Sequence, residues 1–417
     1  MDSTAAPEAA DSDADADAGA ETEAGTAAVD PSLRRQWALV VFAFAALVGL
    51  LLQTRGALLP SFQTTFGVTE AQLGLLAPLA SAASFLVVLV VGLRAGDVAF
   101  ERALTLGLAG VSLALLVVWW VPTFALLVVA IVGATAAAGV VRALDRPVLS
   151  HLYPSARPRV FSLYEMSWAV GATTGPLLAT ATIALGDWRL TYLVAAACFG
   201  VLAVAVSRLD LPPSVGRERS FALSGLPDLL SHATVRTMVL ALFCSVAVEA
   251  GVFTWLPFYA TTFLARETAT LLLSVYLVAY VPGRFLAGRV VARVGPERVV
   301  LAAAVGGGVA LLALLSVRTA LAAGVTSFTL GFFVSAVYPT VQAWATGALP
   351  EVSGPINAVA NAAATLGVVV SPALVGFVAE ATGITRAMWL LPLFMAGLLL
   401  LALGTVVRSR AAARPSS

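Results

Sequence analysis

The sequence predicts an all-α membrane protein of twelve transmembrane helices, arranged as two parallel six-helix repeats around a central cavity. Three observations predict it. Hydrophobic residues make up 60% of the 417 and charged residues only 11%, against roughly 25% charged in a soluble domain. Apolar runs of about 20 residues recur along the chain, each able to cross a hydrocarbon core as a helix, while the short alternating strands of a transmembrane barrel are absent. The chain also repeats itself. Residues 161–180, FSLYEMSWAVGATTGPLLAT, align with residues 357–376, NAVANAAATLGVVVSPALVG, so that Gly171 matches Gly367, Pro176 matches Pro372 and Glu165 falls opposite Asn361. Likewise LPSFQTTF at 59–66 echoes LPFYATTF at 256–263. With an even number of spans per half, equivalent helices point the same way and the repeats are related about an axis along the membrane normal.

Taken in order, residues 1–33 are expected to form a disordered acidic cytoplasmic tail: nine acids and no base lie in the first 30 positions, a pattern of solvated chain and not of a signal peptide. Removing those nine charges from a chain of net +1 leaves +10 on the remainder. Residues 34–210 are expected to be the first six-helix bundle, with spans near 36–60, 71–93, 103–121, 124–147, 160–184 and 189–208. Thr69 and Gln72 have capping-box spacing ahead of the second span, and Gly186 with Asp187 break the chain after the fifth. A polar cytoplasmic linker, 211–235, separates this bundle from a second at 236–407, with spans near 236–260, 268–287, 298–316, 320–345, 357–380 and 386–407; residues 408–417 form a second cytoplasmic tail. Fifteen arginines, among them Arg34, Arg94, Arg208, Arg217, Arg289 and Arg408, fall in segments on the side of the termini. Only Arg189, Arg266, Arg318 and Arg386 fall on the other. The positive-inside rule therefore puts both termini in the cytoplasm and the protein in a cell's inner membrane as a multi-pass chain.

At this level the chain resembles the major facilitator superfamily of secondary transporters from Arg34 onward. GLRAGDVAFERAL from Gly92 is similar to the family's cytoplasmic motif between spans two and three, with Asp97 and Arg102 in matching places. Its repeat, GRVVARVGPERVV from Gly288, keeps Gly295 and the arginines but has Ala292 where the acid would stand. The resemblance implies the major facilitator fold and a gating or salt-bridge role for Asp97 and Arg102. The Gly171–Pro176 run is similar to a fifth-span motif associated with antiporters, although glycines at this spacing also serve close helix packing. VEAGVFTWLPFYATTFL from Val248 and VYPTVQAWATGALP from Val337 are similar to the fucose permease-like sugar and proton symporters. Those symporters carry an acid on the first span, where this chain has Gln53 and Arg55.

Ionised groups near a bilayer centre cost about 2.5–3.5 kcal/mol each on insertion scales, so each needs a partner, a watery cavity or a task. Glu249 is the most centrally placed acid and the candidate for proton coupling, or else an acid held by Arg55. Arg55 itself reads either as a substrate anchor or as that salt-bridge partner. Glu165, a second coupling candidate, lies at a depth similar to Arg142, and with Asp145 and Arg146 these residues are expected to form an inner gate or clasp. Arg284, near the end of its span, is expected to snorkel to the interface. Gln53, Trp168, Trp255, Tyr276, Tyr280, Tyr338, Gln342 and Asn361 complete the expected substrate-binding set with Arg55 and Glu249.

No phosphate-binding loop, metal-ligand cluster or nucleophile with a nearby base is present in the sequence, so no cofactor and no enzymatic activity are expected. The expected function is secondary active transport by alternating access, a proton-coupled import of a sugar or organic anion. The alternatives are efflux by antiport and a non-transporting receptor or scaffold. Expected partners are a small-molecule substrate, the lipid bilayer and protons or another coupling ion, with no nucleic acid and a monomeric chain.

Overall fold

The computed structural model describes residues 30–94, 99–153, 156–210, 226–348 and 353–412. Among them lie twelve long helices: α1 Pro31–Phe66, α2 Glu70–Val91, α3 Phe100–Trp120, α4 Phe124–Leu152, α5 Arg157–Ala184, α6 Arg189–Val206, α7 Ala233–Ala260, α8 Arg266–Val294, α9 Pro296–Ser316, α10 Ala320–Ala345, α11 Ala358–Thr382 and α12 Ile384–Arg408. Eleven are long and apolar enough to cross a membrane; the exception is α5, whose Ser, Thr, Gly and Pro residues and Glu165 dilute its apolar content. That dilution suits its place, because α5 makes the most extensive helix contact in the molecule, against α1. A Cβ on Gly171 would overlap the Ala46 carbonyl oxygen, and one on Gly175 would come within 2.6 Å of the Leu50 oxygen. The glycine run is thus a packing surface that lets two backbones approach closely.

Local chemistry sets the helix ends. Asp30 caps α1, its Oδ1 accepting from the Ser32 amide at 2.9 Å, and this backbone bond together with the Ser32 hydroxyl holds its carboxyl below the usual range. Thr69 and Gln72 form the expected capping box at the start of α2. Gly67 and Gly186 stop α1 and α5 at φ 64° and 96°, where a side chain would be strained. Three helices outrun their expected ends: α1 passes Pro60 to reach Phe66, α4 passes Pro147 to reach Leu152, and α8 runs on to Val294. Their last turns are polar, so a hydropathy boundary falls short of the hydrogen-bonded one. Three helices on the inner faces are broken: α2 at Leu75, α8 at Ala279 and α10 around Ser335.

α1–α6 form one half and α7–α12 the other. On the outside, Leu106, Leu113, Val201, Val309, Leu321 and Leu400 are each more than 60% exposed, a surface that only acyl chains would cover.

The halves meet at the end that carries the turns at Gly67, Gly186 and Gly383, through α1 with α7, α2 with α11 and α5 with α8. A Cβ on Gly56 would overlap the Phe253 carbonyl oxygen, and one on Gly74 would lie 2.8 Å from the Pro372 oxygen and 3.0 Å from Gly376 Cα. Hydrogen bonds cross the same seam. Arg266 Nη2 donates to the Pro60 carbonyl at 3.1 Å, Ser274 Oγ to the Thr173 carbonyl at 3.0 Å, and Thr69 Oγ1 to Glu380 Oε2 at 3.3 Å. The Thr180 and Thr270 hydroxyls share a bond of 2.7 Å. Toward the other end, Met166 on α5 is 52% exposed, and Val281 and Phe285 on α8 are 56% and 62% exposed. Seven residues return an unbroken helix to the same face, so Met166 continues the stripe of Thr173 and Thr180, while Val281 and Phe285 lie beyond the break in α8. The α5 stripe, in contact at the sealed end, is therefore open at the end of the termini.

Candidate functional site

Glu249 sits in the middle of α7, about 16 Å from its sealed end at 1.5 Å per residue. Its Oε2 accepts from Tyr280 Oη at 2.9 Å, and Ser245 Oγ reaches Oε1 at 3.5 Å. Tyr276 and Tyr280, one turn apart on α8, place their hydroxyls 3.1 Å from each other. Because Tyr280 spends its proton on Glu249, Tyr276 must donate to Tyr280, giving an ordered chain of two phenols ending on a carboxylate. Both tyrosines are buried, whereas Glu249 keeps some accessible surface. Phe253, whose carbonyl meets Gly56, stands edge-on to Tyr276 with centroids 5.7 Å apart. The acid is thus linked by one helical turn to the seam between the halves.

The neighbouring arginines take unexpected places. Arg284 does not reach outward; its guanidinium lies 5.3 Å over the Tyr280 ring, with Nε buried and without a hydrogen-bond partner among the described residues. Arg55 forms no bond with Glu249. Gly49 and Gly56 point at α5 and α7, while Arg55 shares the opposite flank of α1 with Phe44 and Phe62, which pack on Phe199 and Tyr192 of α6. Arg55 is 5% exposed, and its Nε and Nη2 lack partners among the described residues. The insertion cost that each carries made these two charges candidate partners in the sequence; helical phase separates them.

On the other half, away from the turn between them, α4 and α5 hold four charged groups: Arg142, Asp145, Arg146 and Glu165. Arg146 Nη2 meets Glu165 Oε1 at 2.9 Å with both side chains about half exposed. Tyr164 Oη donates to Asp145 Oδ2 at 2.6 Å, and the Arg146 amide donates to Oδ1 at 2.6 Å, so Asp145 is almost fully enclosed at 1% exposure. The partner of Glu165 is therefore Arg146, where Arg142 was expected. α4 ends at Leu152 and α5 begins at Arg157, and counting back from those ends sets Arg146 near the level of Glu165 and Arg142 near that of Trp168. That register was available in the sequence, and it also brings Tyr164, absent from the expected set, to Asp145. Arg142 is exposed and forms no ion pair among the described residues. Since exposed pairs contribute about 0.2–1 kcal/mol, a thermal-unfolding double-mutant cycle of Arg146→Ala and Glu165→Ala is expected to give a coupling below about 1 kcal/mol. A coupling of several kcal/mol would instead mark a strong clasp.

Tyr338, on α10 of the second half, lies within electrostatic reach of Arg142, Arg146 and Glu165 across the gap and of Glu249 on its own side. Its hydroxyl donates to Asn361 Oδ1 at 3.4 Å. Of the residues expected to bind substrate, Trp168, Glu249, Tyr338, Gln342 and Asn361 keep accessible surface. Gln53, Arg55, Trp255, Tyr276 and Tyr280 are buried. Trp255 is a seam residue: its Nε1 donates to the Pro372 carbonyl at 3.0 Å, and its ring edge lies beside Gly74 and Gly376. Arg102 is exposed at the start of α3, and Asp97 lies outside the described residues.

Comparison with known proteins agrees with this architecture. The protein TsgA homolog of Erwinia tasmaniensis is 25% identical over 212 residues, which are 49% of this chain and 52% of that protein, so the chain matches about half of this relative's length. A bacterial homolog of the human lysosomal transporter Spinster, in an inward-facing and occupied conformation, superposes with a TM-score of 0.76 at 14% identity, over 90% of this chain and 97% of that one. FucP in its outward conformation superposes with a TM-score of 0.59 at 20% identity, over 88% and 97%. These likenesses establish the fold. The family model of the Major Facilitator Superfamily matches residues 37–264 and 264–417. Through both halves of its length, the chain therefore belongs to the Major Facilitator Superfamily, whose members are transporters and not enzymes.

Proposed function

We propose that the protein is a proton-coupled importer of a small polar solute, working by alternating access in the inner membrane as a monomer with both termini in the cytoplasm. The bundles at 34–210 and 236–407 are the rocking units, joined by the linker at 211–235. The observation that carries this reading is a pair of halves in contact at one end, with a membrane-embedded acid one helical turn from that seam. Glu249 touches the cavity, holds the Tyr280–Tyr276 chain and stands one turn from Phe253. Protonation changes whether Tyr280 has a charged acceptor, and so changes the packing of α7 on α8 beside the α1 crossing. A proton arriving at Glu249 is thereby able to bias the two conformations.

Orientation follows from the arginine distribution, which makes the open end cytoplasmic. In the opposite conformation, Met166 closes on Val281 and Phe285. In a background with Cys198 and Cys244 replaced by serine, a Met166→Cys, Phe285→Cys pair is expected to cross-link several-fold faster when the sealed end is forced open. A cross-linking rate indifferent to that change would contradict the alternation. The glycine run at Gly171 gives no support to efflux, because packing on α1 accounts for it.

A further inference from the structure

We infer that the solute is an organic anion, held through its carboxylate by Arg142; this rests on the transport reading above and names its substrate class. The argument is one of exposed charge at depth. Four acidic and basic side chains stand together on α4 and α5, and three of them are hydrogen-bonded. Glu165 is bonded to Arg146. Asp145 is enclosed by the Tyr164 hydroxyl and the Arg146 amide, with 1% exposure, and offers no oxygen to the cavity. Arg142 remains, exposed and without an ion pair among the described residues.

Its position separates it from an ordinary surface arginine. Arg142 is one helical turn deeper than Arg146, about 6 Å further into the membrane at 1.5 Å per residue. It stands ten residues before the end of α4 at Leu152, flanked by the buried Val141 and Leu144. A guanidinium at such depth needs water or an anion beside it. Across the gap, Tyr338 of the second half lies within its electrostatic reach, and Tyr338 is bonded to the exposed Asn361. A solute with its carboxylate on Arg142 would therefore face the Tyr338 ring on the opposing half with the rest of the molecule. Two-sided contact of this kind is what allows a bound solute to pull the halves together, since only differential contact shifts a conformational equilibrium. The planar fork of arginine matches a carboxylate with two parallel hydrogen bonds, which a neutral sugar or nucleoside does not complete.

The test is ligand-induced thermal stabilisation of the purified full-length protein in detergent, with acetate, lactate, succinate and citrate set against glucose and adenosine. At least one carboxylate is expected to raise the unfolding temperature, with glucose and adenosine inactive. Arg142→Gln is expected to weaken that carboxylate about tenfold or more, and Arg142→Lys to recover part of the loss. The unliganded unfolding temperature of both variants should change little, because Arg142 is exposed and makes no ion pair within 4 Å among the described residues. The inference is overturned if no carboxylate stabilises the protein, if glucose or adenosine does so instead, or if Arg142→Gln leaves the carboxylate effect intact. Binding and transport fail separately: a carboxylate that binds through Arg142 but never crosses vesicles would sink the transport reading and keep this one.

Discussion

Gly56→Leu opens the sealed end. The wild-type crossing of α1 on α7 has no room for even a Cβ at this position, so the leucine forces the helices apart in the conformation described here and leaves the alternative one unhindered. Overpacking of this kind costs about 1–3 kcal/mol, which at 1.4 kcal/mol per factor of ten shifts a two-state balance roughly 5- to 150-fold. In the serine background, Ser274→Cys is expected to react with a membrane-impermeant maleimide faster by about the same factor, and net transport to fall with it. Gly171→Leu provides the contrast. Its contact with Ala46 lies within one half and persists in both conformations, so that variant should lose folded yield with no gain in accessibility. If Gly56→Leu instead behaves like Gly171→Leu, the α1–α7 crossing is not the moving seam.

Glu249→Gln uncouples transport from the proton gradient. The amide keeps the volume and can still accept from Tyr280 Oη, so the Tyr276–Tyr280 chain and the seal beside it should survive. What is lost is the proton site. A one-unit pH gradient stores about 1.4 kcal/mol per proton, enough for about tenfold accumulation at one proton per solute. The variant is expected to bring solute only to equal concentrations on both sides, while exchange of labelled for unlabelled solute continues. Tyr280→Phe should slow gradient-driven uptake without removing it, because the carboxyl remains. Full gradient-driven accumulation by Glu249→Gln would move the coupling site elsewhere.

The fold was legible because its signals are local. Apolar runs define the spans, Thr69 with Gln72 and Gly186 mark their ends, and the echo of residues 161–180 in 357–376 exposes the repeat. Depth was legible too, and put Glu249 near the middle of α7. Azimuth was read less well. Arg55 and Glu249 are compatible in height, but Phe44 and Phe62 turn the arginine's flank of α1 toward α6. A count across the α4–α5 turn would have matched Glu165 to Arg146 and found Tyr164 for Asp145. Burial of Trp255 was beyond any such count, since it depends on which end of the cavity is sealed, a property of the conformation adopted and not of one helix.

The most direct test of proton-coupled alternating access is accumulation in vesicles under an imposed pH gradient of one unit, screened over carboxylates, sugars and nucleosides. The account predicts that a solute accumulates about tenfold on the side that receives protons, and that a protonophore collapses the accumulation. Accumulation on the side from which protons leave would reverse the direction and make the protein an efflux antiporter. A solute that stabilises the purified protein yet stays at equal concentrations on both sides, with no exchange, would contradict transport itself.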